Sequence, residues 1–308
     1  MSKIDKIEEL QNLLREDSQN FQARRQLAVL LTDCGFNDEA LKNLIYLSKT
    51  FADDSGIFYN LGIVYEKLKN LKKAKESYEK AIEIEPEAID AIYNLGLVCT
   101  DLKEFDTAIK CFEKVISVDS DDSNSYFNLG LVYFKMQNYL LAVENFEKTI
   151  DLNDNDIYAH FYLGNIYKEL GDSDGARSEF NKVLEISPDY SWAYYNLAVL
   201  DYENGELGDA LSNLSRTIEL NPADIEAYKI YAKILAKNEN YDMAEEIITR
   251  ALENCGENGD LYYLAGRLSG LQGDNIKYRI NLQNALKNYK TLSISVPALK
   301  TELSKISV

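Results

Sequence analysis

The basic residues with the clearest chemical consequence are three lysines spaced four apart. Lys229, Lys233 and Lys237 lie in the segment IEAYKIYAKILAKNE, and Arg267 takes the same step as Lys233 34 residues later. On a helix this spacing places the three ammonium groups on one face, where they could hold carboxylates. A solvated lysine face balanced by acidic neighbours is the alternative interpretation.

The residue types that usually carry catalysis are scarce. His160 is the only histidine, and the residues 34 positions before and after it are Tyr126 and Tyr194. Because aromatic residues at these steps indicate packing, we expect His160 to pack rather than to act as a general acid or base.

The cysteines and the acidic runs show no metal-site pattern. Asp151, Asn153 and Asn155 begin like a calcium loop, but Asp156 stands where the turn glycine belongs. No glycine-rich phosphate loop is present either. The four cysteines contain no closely spaced pair of metal-ligand type, which predicts buried, reduced thiols; they are Cys34, Cys99, Cys111 and Cys255. We therefore predict no catalytic residue, no metal, no cofactor and no enzyme activity.

Net charge bears on the class of partner. The chain has 308 residues, with 33 basic and 51 acidic side chains and a formal charge of −18. Such a charge repels phosphate backbones, so we expect no nucleic-acid partner. Residues 225–308 are nearly neutral, with 11 Lys/Arg against 10 Asp/Glu, and the acidic excess therefore belongs to residues 1–224.

The elements that position these residues follow from a 34-residue period. A residue no larger than alanine recurs at this spacing, and a second small residue usually follows it by twelve positions. The first series is Ala28, Gly62, Gly96, Gly130, Gly164, Ala198, Ala232 and Gly266. The second is Ala40, Ala74, Ala108, Ala142, Ala176, Ala210 and Ala244, with Tyr278 at the last step. We therefore expect pairs of amphipathic helices that cross closely at these two steps.

This pattern resembles the tetratricopeptide repeat, whose period, small residues and helix-ending prolines match those of residues 21–292. The sequence departs from the family at Asp201, where the family prefers tyrosine, and at Tyr278, where it prefers alanine. The resemblance implies an all-α fold: a right-handed α-solenoid, or superhelix, of about eight helical hairpins with terminal capping helices.

The predicted organisation has three parts. Residues 1–20 form an N-terminal capping helix in the register of a second helix that lacks its partner. Residues 293–308, with Pro297 near their start, form a C-terminal capping helix or a tail, and the sequence leaves this open. Between them lie eight tandem units, namely 21–54, 55–88, 89–122, 123–156, 157–190, 191–224, 225–258 and 259–292.

The resemblance also implies a concave groove lined by the first helix of each repeat. Along it an aromatic row would run beside an asparagine row, a combination suited to an extended peptide because amides bond to a peptide backbone and aromatic faces add apolar contact. Alternatively, both residue types are simply common family choices. The predicted groove residues are Tyr59, Asn60, Tyr93, Asn94, Phe127, Asn128, Phe161, Asn165, Trp192, Tyr195, Asn196 and Tyr202.

At the carboxyl-terminal end of this groove, the lysine row and Arg267 would form a basic pocket with an aromatic wall of Trp192, Tyr195 and Tyr202. We expect this pocket to take an acidic peptide segment or a carboxyl terminus.

These observations predict a non-catalytic adaptor that binds a protein or peptide partner. Two alternatives are a self-assembling scaffold, in which residues 293–308 lie in a neighbouring molecule's groove, and a non-catalytic subunit that positions a partner enzyme. No apolar run approaches signal-peptide or membrane-spanning length, so we expect a cytoplasmic protein without a membrane partner.

Overall fold

The computed structural model describes residues 2–306, and its regular structure over that range consists of helices without β-strands. The chain divides into two compact units, unit 1 ending at Ala159 and unit 2 beginning at His160. None of the helices within residues 2–306 is long and apolar enough to cross a membrane.

Unit 1 consists of one leading helix, hairpins of alternating helices and the start of the next helix. Its helices are α1 (Lys3–Glu16), α2 (Phe21–Asp33), α3 (Asn37–Thr50), α4 (Ser55–Lys67), α5 (Leu71–Ile84), α6 (Ile89–Asp101), α7 (Phe105–Val118), α8 (Ser123–Lys135) and α9 (Tyr139–Leu152). We call the even-numbered helices α2 to α16 A helices and the odd-numbered helices α3 to α17 B helices.

Unit 2 continues the same alternation, and α10 begins just before the boundary. Its helices are α10 (Ile157–Glu169), α11 (Ser173–Ile186), α12 (Ser191–Asn204), α13 (Leu207–Leu220), α14 (Ile225–Lys237), α15 (Tyr241–Cys255), α16 (Gly259–Leu271), α17 (Asn275–Lys287) and α18 (Val296–Ser304). A single 3₁₀ turn at Tyr289–Thr291 precedes α18. The prediction of an all-α array of helical hairpins is confirmed.

Each hairpin turns on one left-handed residue. Lys69 has φ of +59°, and the Asn70 N–H donates to the carbonyl of Tyr65 at 2.8 Å, which closes the carboxyl end of the A helix. The same step recurs every 34 residues, and four of its eight occupants are glycine. The eight occupants of this step are Gly35, Lys69, Lys103, Gln137, Gly171, Gly205, Glu239 and Gly273.

The close crossing within each hairpin explains the first series of small residues. A Cβ placed on Gly130 would lie 2.9 Å from the ring of Phe146, and one on Gly164 would lie 2.7 Å from the ring of Phe180. Alanine occupies this step in three of the four hairpins whose B-helix residue is aliphatic, as in the pair Ala198 and Leu214, and Gly266 opposite Leu282 is the exception. An aromatic ring on the B helix therefore leaves room only for glycine at the facing step of the A helix.

The departures at Asp201 and Tyr278 are local substitutions with partners of their own. Asp201 is fully buried, and its carboxylate lies 2.6 Å from Nη1 of Arg177 and accepts a 2.7 Å hydrogen bond from Asn213. Tyr278 packs against Gly270, where an added Cβ would lie 3.1 Å from its ring. The hairpins at both positions are therefore retained.

The segment around α18 is helical and packs on its own chain. Leu299 is fully buried against Leu282 and Ala285 of α17. At the other end, Ile7 and Leu10 of α1 are buried in a cluster with residues of α2, α3 and α4.

The cysteine prediction was only half right. Cys99 and Cys111 are buried, and burial raises the pKa of their thiols to about 11 and about 12. Cys34 and Cys255 are half-buried instead, because each lies at the end of a helix. All four are free thiols.

Candidate functional site

The aromatic row of unit 1 belongs partly to the hairpin core. The rings of Tyr59, Tyr93 and Phe127 are half-buried, and their centroids lie 6.0, 5.7 and 5.6 Å from the nearest B-helix ring of the same hairpin. These separations are normal for packed aromatic pairs. Only the outer edges of these three side chains therefore remain for a ligand.

The asparagines of unit 1 are bonded within the chain. Asn128 Nδ2 donates to the hydroxyl of Tyr93 and to the carbonyl of Asn124, both at 2.8 Å. Asn94 Nδ2 donates to the hydroxyl of Tyr59 at 3.4 Å, one repeat earlier. We call these two contacts the Tyr–Asn ladder. The expectation that these amides offer free donors to a peptide is wrong for Asn128, since both of its amide hydrogens have partners.

Asn60 and Asn165 bond their own helices. Asn60 Nδ2 donates to the carbonyl of Gly56 at 2.6 Å, and Asn165 Nδ2 donates to the carbonyl of Phe161 at 2.9 Å. Such bonds to the residue four positions earlier are common for short polar side chains in helices. Each amide therefore has one donor bonded within its own helix.

Asn196 was wrongly predicted as a groove surface residue. It is only 4% exposed, its Nδ2 donates to the carbonyl of Trp192 at 2.9 Å, and its oxygen accepts from Lys168 Nζ. Burial lowers the pKa of Lys168. The pair is therefore a packed contact between α10 and α12.

The aromatic side chains of α12 reach solvent. Trp192 is 52% exposed, and its ring lies 6.3 Å from that of Tyr195 in an edge-on arrangement. Tyr202 lies near the other end of α12, and Lys237 Nζ is 5.9 Å from its ring centroid. Trp192 is therefore exposed on α12, whereas Tyr195 and Tyr202 are half-buried on the same helix, and the aromatic wall stays a prediction.

Lys233 and Lys237 of α14 are exposed, and neither forms an ion pair with a residue in the range 2–306. We call Trp192, Tyr195, Tyr202, Lys233 and Lys237 the α12–α14 face. Two cationic side chains and three aromatic ones lie on adjacent A helices there.

The other two members of the predicted basic pocket are neutralised in the chain. Lys229 Nζ lies 2.8 Å from Glu226 and 3.1 Å from Asp260, and its side chain is 14% exposed. Burial alone would lower the pKa of Lys229, but the hydrogen bonds to these two carboxylates raise it. Arg267 lies 3.1 Å from Glu302 of α18, which also accepts from Tyr263. The pocket of four free cations is therefore corrected to a face with two.

His160 is enclosed by its hairpin. Its side chain is 8% exposed, and Nδ1 lies 2.7 Å from Oε2 of Glu179 on α11. This contact places the imidazole between two helices, as expected for a packing residue. Across residues 2–306, no group of three or more His, Cys, Asp or Glu side chains is arranged to hold a metal ion.

Acidic clefts between the hairpins of unit 1 were missed by the sequence reasoning. One, of about 400 Å³, is lined by Tyr59, Glu85 and Asp90 among others. The next, of about 310 Å³, is lined by Asp90, Tyr93 and Asp122 among others. The signal was present in the acidic excess of residues 1–224, which we used only to argue against a nucleic-acid partner.

Known proteins were compared with this chain. Profiles described as tetratricopeptide repeat match residues 56–87, 123–156, 145–178 and 195–268. One described as TPR repeat matches residues 97–137 and 164–205. No curated protein sequence matches the chain.

Solved structures agree in fold. A tetratricopeptide repeat protein from Parabacteroides merdae is 17% identical, with a TM-score of 0.58, over 81% of this chain and 97% of that chain. MamA from Desulfovibrio magneticus RS-1 is 24% identical, with a TM-score of 0.54, over 56% and 97%. YrrB, described as a TPR protein with an unusual peptide-binding site, is 26% identical, with a TM-score of 0.50, over 61% and 96%. The chain belongs to the tetratricopeptide repeat family.

Proposed function

We propose that this protein is a non-catalytic adaptor that binds an extended, acidic peptide segment of a partner protein on the α12–α14 face. Its fold is that of protein–protein interaction scaffolds. The observation that carries the proposal is the exposure of Lys233 and Lys237, unpaired within residues 2–306, beside the aromatic edge of α12.

Charge favours an acidic ligand at this face. Each of the other two cations of the predicted pocket already has a carboxylate partner from its own chain, namely Asp260 for Lys229 and Glu302 for Arg267. Within the chain, carboxylates are therefore the groups that satisfy cations along these A helices. A partner's Asp or Glu side chains would do the same for Lys233 and Lys237.

The aromatic edge favours an extended ligand. Trp192 and Tyr202 are ten residues apart on α12, which corresponds to about 15 Å along a helix. An extended peptide spans this length with about five residues, so its apolar side chains could contact Trp192 and Tyr195 while its carboxylates meet the lysines. Rigid aromatic side chains provide such contact at low entropic cost.

The terminal segments have supporting roles in this proposal. We interpret residues 1–20 and 293–308 as caps on the predicted units between them, since α1 and α18 each bury apolar residues against the adjoining helices.

YrrB is described as having a peptide-binding site, and this likeness supports a peptide as the ligand class here.

Fluorescence anisotropy tests the proposal with a defined probe. The probe is a fluorescein-labelled peptide in which Glu alternates with Leu and Ala, beside a matched peptide with Gln in place of Glu. We expect saturable binding of the Glu peptide alone, weakening as salt rises. In a variant with Lys233→Glu and Lys237→Glu, the affinity for the Glu peptide should fall about tenfold or more. A tenfold loss corresponds to roughly 1.4 kcal/mol of binding free energy.

The matched control carries the same change of charge elsewhere in unit 2. Lys182 of α11 and Lys287 of α17 are exposed lysines on B helices, and Lys182→Glu with Lys287→Glu should leave binding within about twofold of wild type. Equal losses in both variants would mean that net charge alone attracts the peptide. Equal binding of the Glu and Gln peptides would also contradict the proposal.

A further inference from the structure

The first and last helices each stand in the register of half a hairpin. α1 (Lys3–Glu16) lies 34 residues before α3 (Asn37–Thr50), so it has the position of a B helix. α18 (Val296–Ser304) lies within the stretch 34 residues after α16 (Gly259–Leu271), so it has the position of an A helix. A hairpin made of α18 from one copy and α1 from another would have the same order as the hairpins inside the chain.

Both half-hairpins keep most of the apolar pattern. Leu10 takes the step of Tyr78 and Phe112, and Leu299 takes the step of Leu61 and Leu95. Leu13 takes the step of Leu47, which is fully buried, yet Leu13 itself is 38% exposed. α1 therefore presents an apolar residue that would be covered if an A helix lay beside it.

A groove follows the side of α1 where that A helix would lie. It has a volume of about 430 Å³, and Leu10, Val29 and Leu30 contribute its apolar wall. Gln26, at its edge, takes the step at which Asn94 contacts the preceding A helix. The groove therefore continues the contact between A helices that is repeated inside unit 1.

At the two steps where the helices of a hairpin cross most closely, α1 and α18 do not follow this apolar pattern. Lys6 stands where Ala40, Ala74 and the five later members of that series are fully buried. Lys300 stands at the step of Gly266 and Ala232, where a Cβ on the glycine would already lie 2.9 Å from Leu282. In the present structure Lys300 is exposed, and Lys6 Nζ reaches Glu9 at 2.9 Å.

We propose that Lys6 and Lys300 prevent end-to-end stacking of this protein, and that without them α18 of a second copy would fill the groove beside α1. Pairing the two helices would bury two ammonium groups of like charge at a helix crossing whose steps inside the chain hold Gly or Ala, with Tyr278 as the exception. Burying an unpaired charge is strongly unfavourable, and a lysine side chain does not fit the space. This proposal is independent of peptide binding on the α12–α14 face.

The assembly that the lysines prevent would be head-to-tail. Such a contact joins two different surfaces, so it adds copies without closing unless the geometry forms a ring. Stacks of hairpins gain stability from each nearest-neighbour contact, which makes an unguarded end prone to extension. A lysine at each closest-contact step blocks both surfaces at once.

Light scattering over a dilution series tests the proposal. The wild type should keep the monomer mass at every concentration. In a variant with Lys6→Ala and Lys300→Ala, the average mass should rise with concentration to at least twice the monomer mass. Both substitutions remove side chains that are at least partly exposed, so circular dichroism should show the wild-type helix content.

Two further variants keep the test specific. Lys3→Ala with Lys305→Ala makes the same change of charge at the start of α1 and directly after α18, and this variant should remain monomeric. Val29 is 44% exposed in the groove, so Val29→Asp added to the associating variant should return it to the monomer mass. Wild-type mass in the Lys6→Ala and Lys300→Ala variant at all concentrations would overturn the proposal, as would equal association of the Lys3 and Lys305 variant or a wild type that itself associates.

Discussion

The two units use the same repeat geometry but differ in some of the contacts between successive A helices. In unit 1 two of these contacts are neutral hydrogen bonds, from Asn94 to Tyr59 and from Asn128 to Tyr93, beside a charged one from Lys67 to the carbonyl of Thr32. In unit 2 the equivalent contacts carry charge, as between Lys229 and Asp260. The residues involved are 35 and 31 positions apart respectively, close to one period.

These contacts distinguish polar side chains that are bonded within the chain from those that remain free to bind a ligand. In the Tyr–Asn ladder Asn128 donates both of its amide hydrogens within the chain, so it has no donor left for a ligand. In unit 2 Lys229 and Arg267 have carboxylate partners, whereas Lys233 and Lys237 form no ion pair within residues 2–306. Our proposal for the α12–α14 face rests on these two lysines, which the contacts between A helices do not use.

The largest loss in the free energy of unfolding should come from breaking a buried ionic contact in unit 2. Arg177→Ala would leave the fully buried carboxylate of Asp201 without its cation. We expect the free energy of unfolding to fall by about 3–5 kcal/mol, measured by urea denaturation. Adding Asp201→Asn should recover much of this loss. A loss below about 1 kcal/mol in Arg177→Ala would show that the charge is relieved in another way.

A steric test in unit 1 should have the next largest effect. Gly130→Ala brings a methyl group to 2.9 Å from the Phe146 ring, and overpacking of this kind costs about 1–3 kcal/mol. Phe146→Leu should compensate, because unit 2 contains the natural pair Ala198 and Leu214. A double-mutant cycle measures this coupling. Additive losses would contradict the pairing of small residue with ring size.

The neutral and ionic contacts should respond differently to salt. Tyr93→Phe removes the hydroxyl that accepts from Asn128, and we expect a loss of about 1 kcal/mol that salt does not change. Lys229→Met removes both ion pairs of that lysine, and its cost should shrink as salt rises. Urea unfolding at low and high salt compares the two. Equal salt responses would remove the distinction between the units.

The smallest predicted effect is the pH dependence of the stability that Glu302 contributes in unit 2. Burial alone would raise the pKa of Glu302, but hydrogen bonds from Tyr278, Arg267 and Tyr263 lower it overall. Its stabilising contribution is therefore complete above the unfolded-state pKa, roughly 4.3, and is lost as pH falls through the lower folded-state pKa. The difference in melting temperature between wild type and Glu302→Gln should shrink from pH 7 toward pH 3. A constant difference would contradict this assignment.

The 34-residue recurrence of small residues was enough to predict the hairpins. The steps of Gly96 and Ala108 indicated close crossings because small residues at a fixed period have few other causes. The site was harder, because an asparagine at the right step looks the same whether it faces a ligand or a neighbouring repeat. Asn128 and Asn196 were misjudged for this reason, since their partners Tyr93 and Lys168 come from the preceding hairpin.

The basic pocket failed in part for the same reason. Lys229 and Arg267 looked free beside their sequence neighbours, but Asp260 and Glu302 are supplied by helices 31 and 35 residues further along. Glu302 lies in the segment that the sequence left open as cap or tail. Lys233 and Lys237 are exposed on α14, where their spacing of four residues puts them on one face, and their role in binding stays a prediction.

Tryptophan fluorescence provides the most direct test of the proposed α12–α14 face. Trp192 is the only tryptophan in the chain and is half exposed on that face, so its emission reports on this site without a label. Titration with the alternating Glu peptide should shift the emission of the wild type to shorter wavelength and saturate. The Lys233→Glu and Lys237→Glu variant should shift only at about tenfold higher peptide concentration or more. An unchanged emission in the wild type, or the same titration curve in both proteins, would contradict the account.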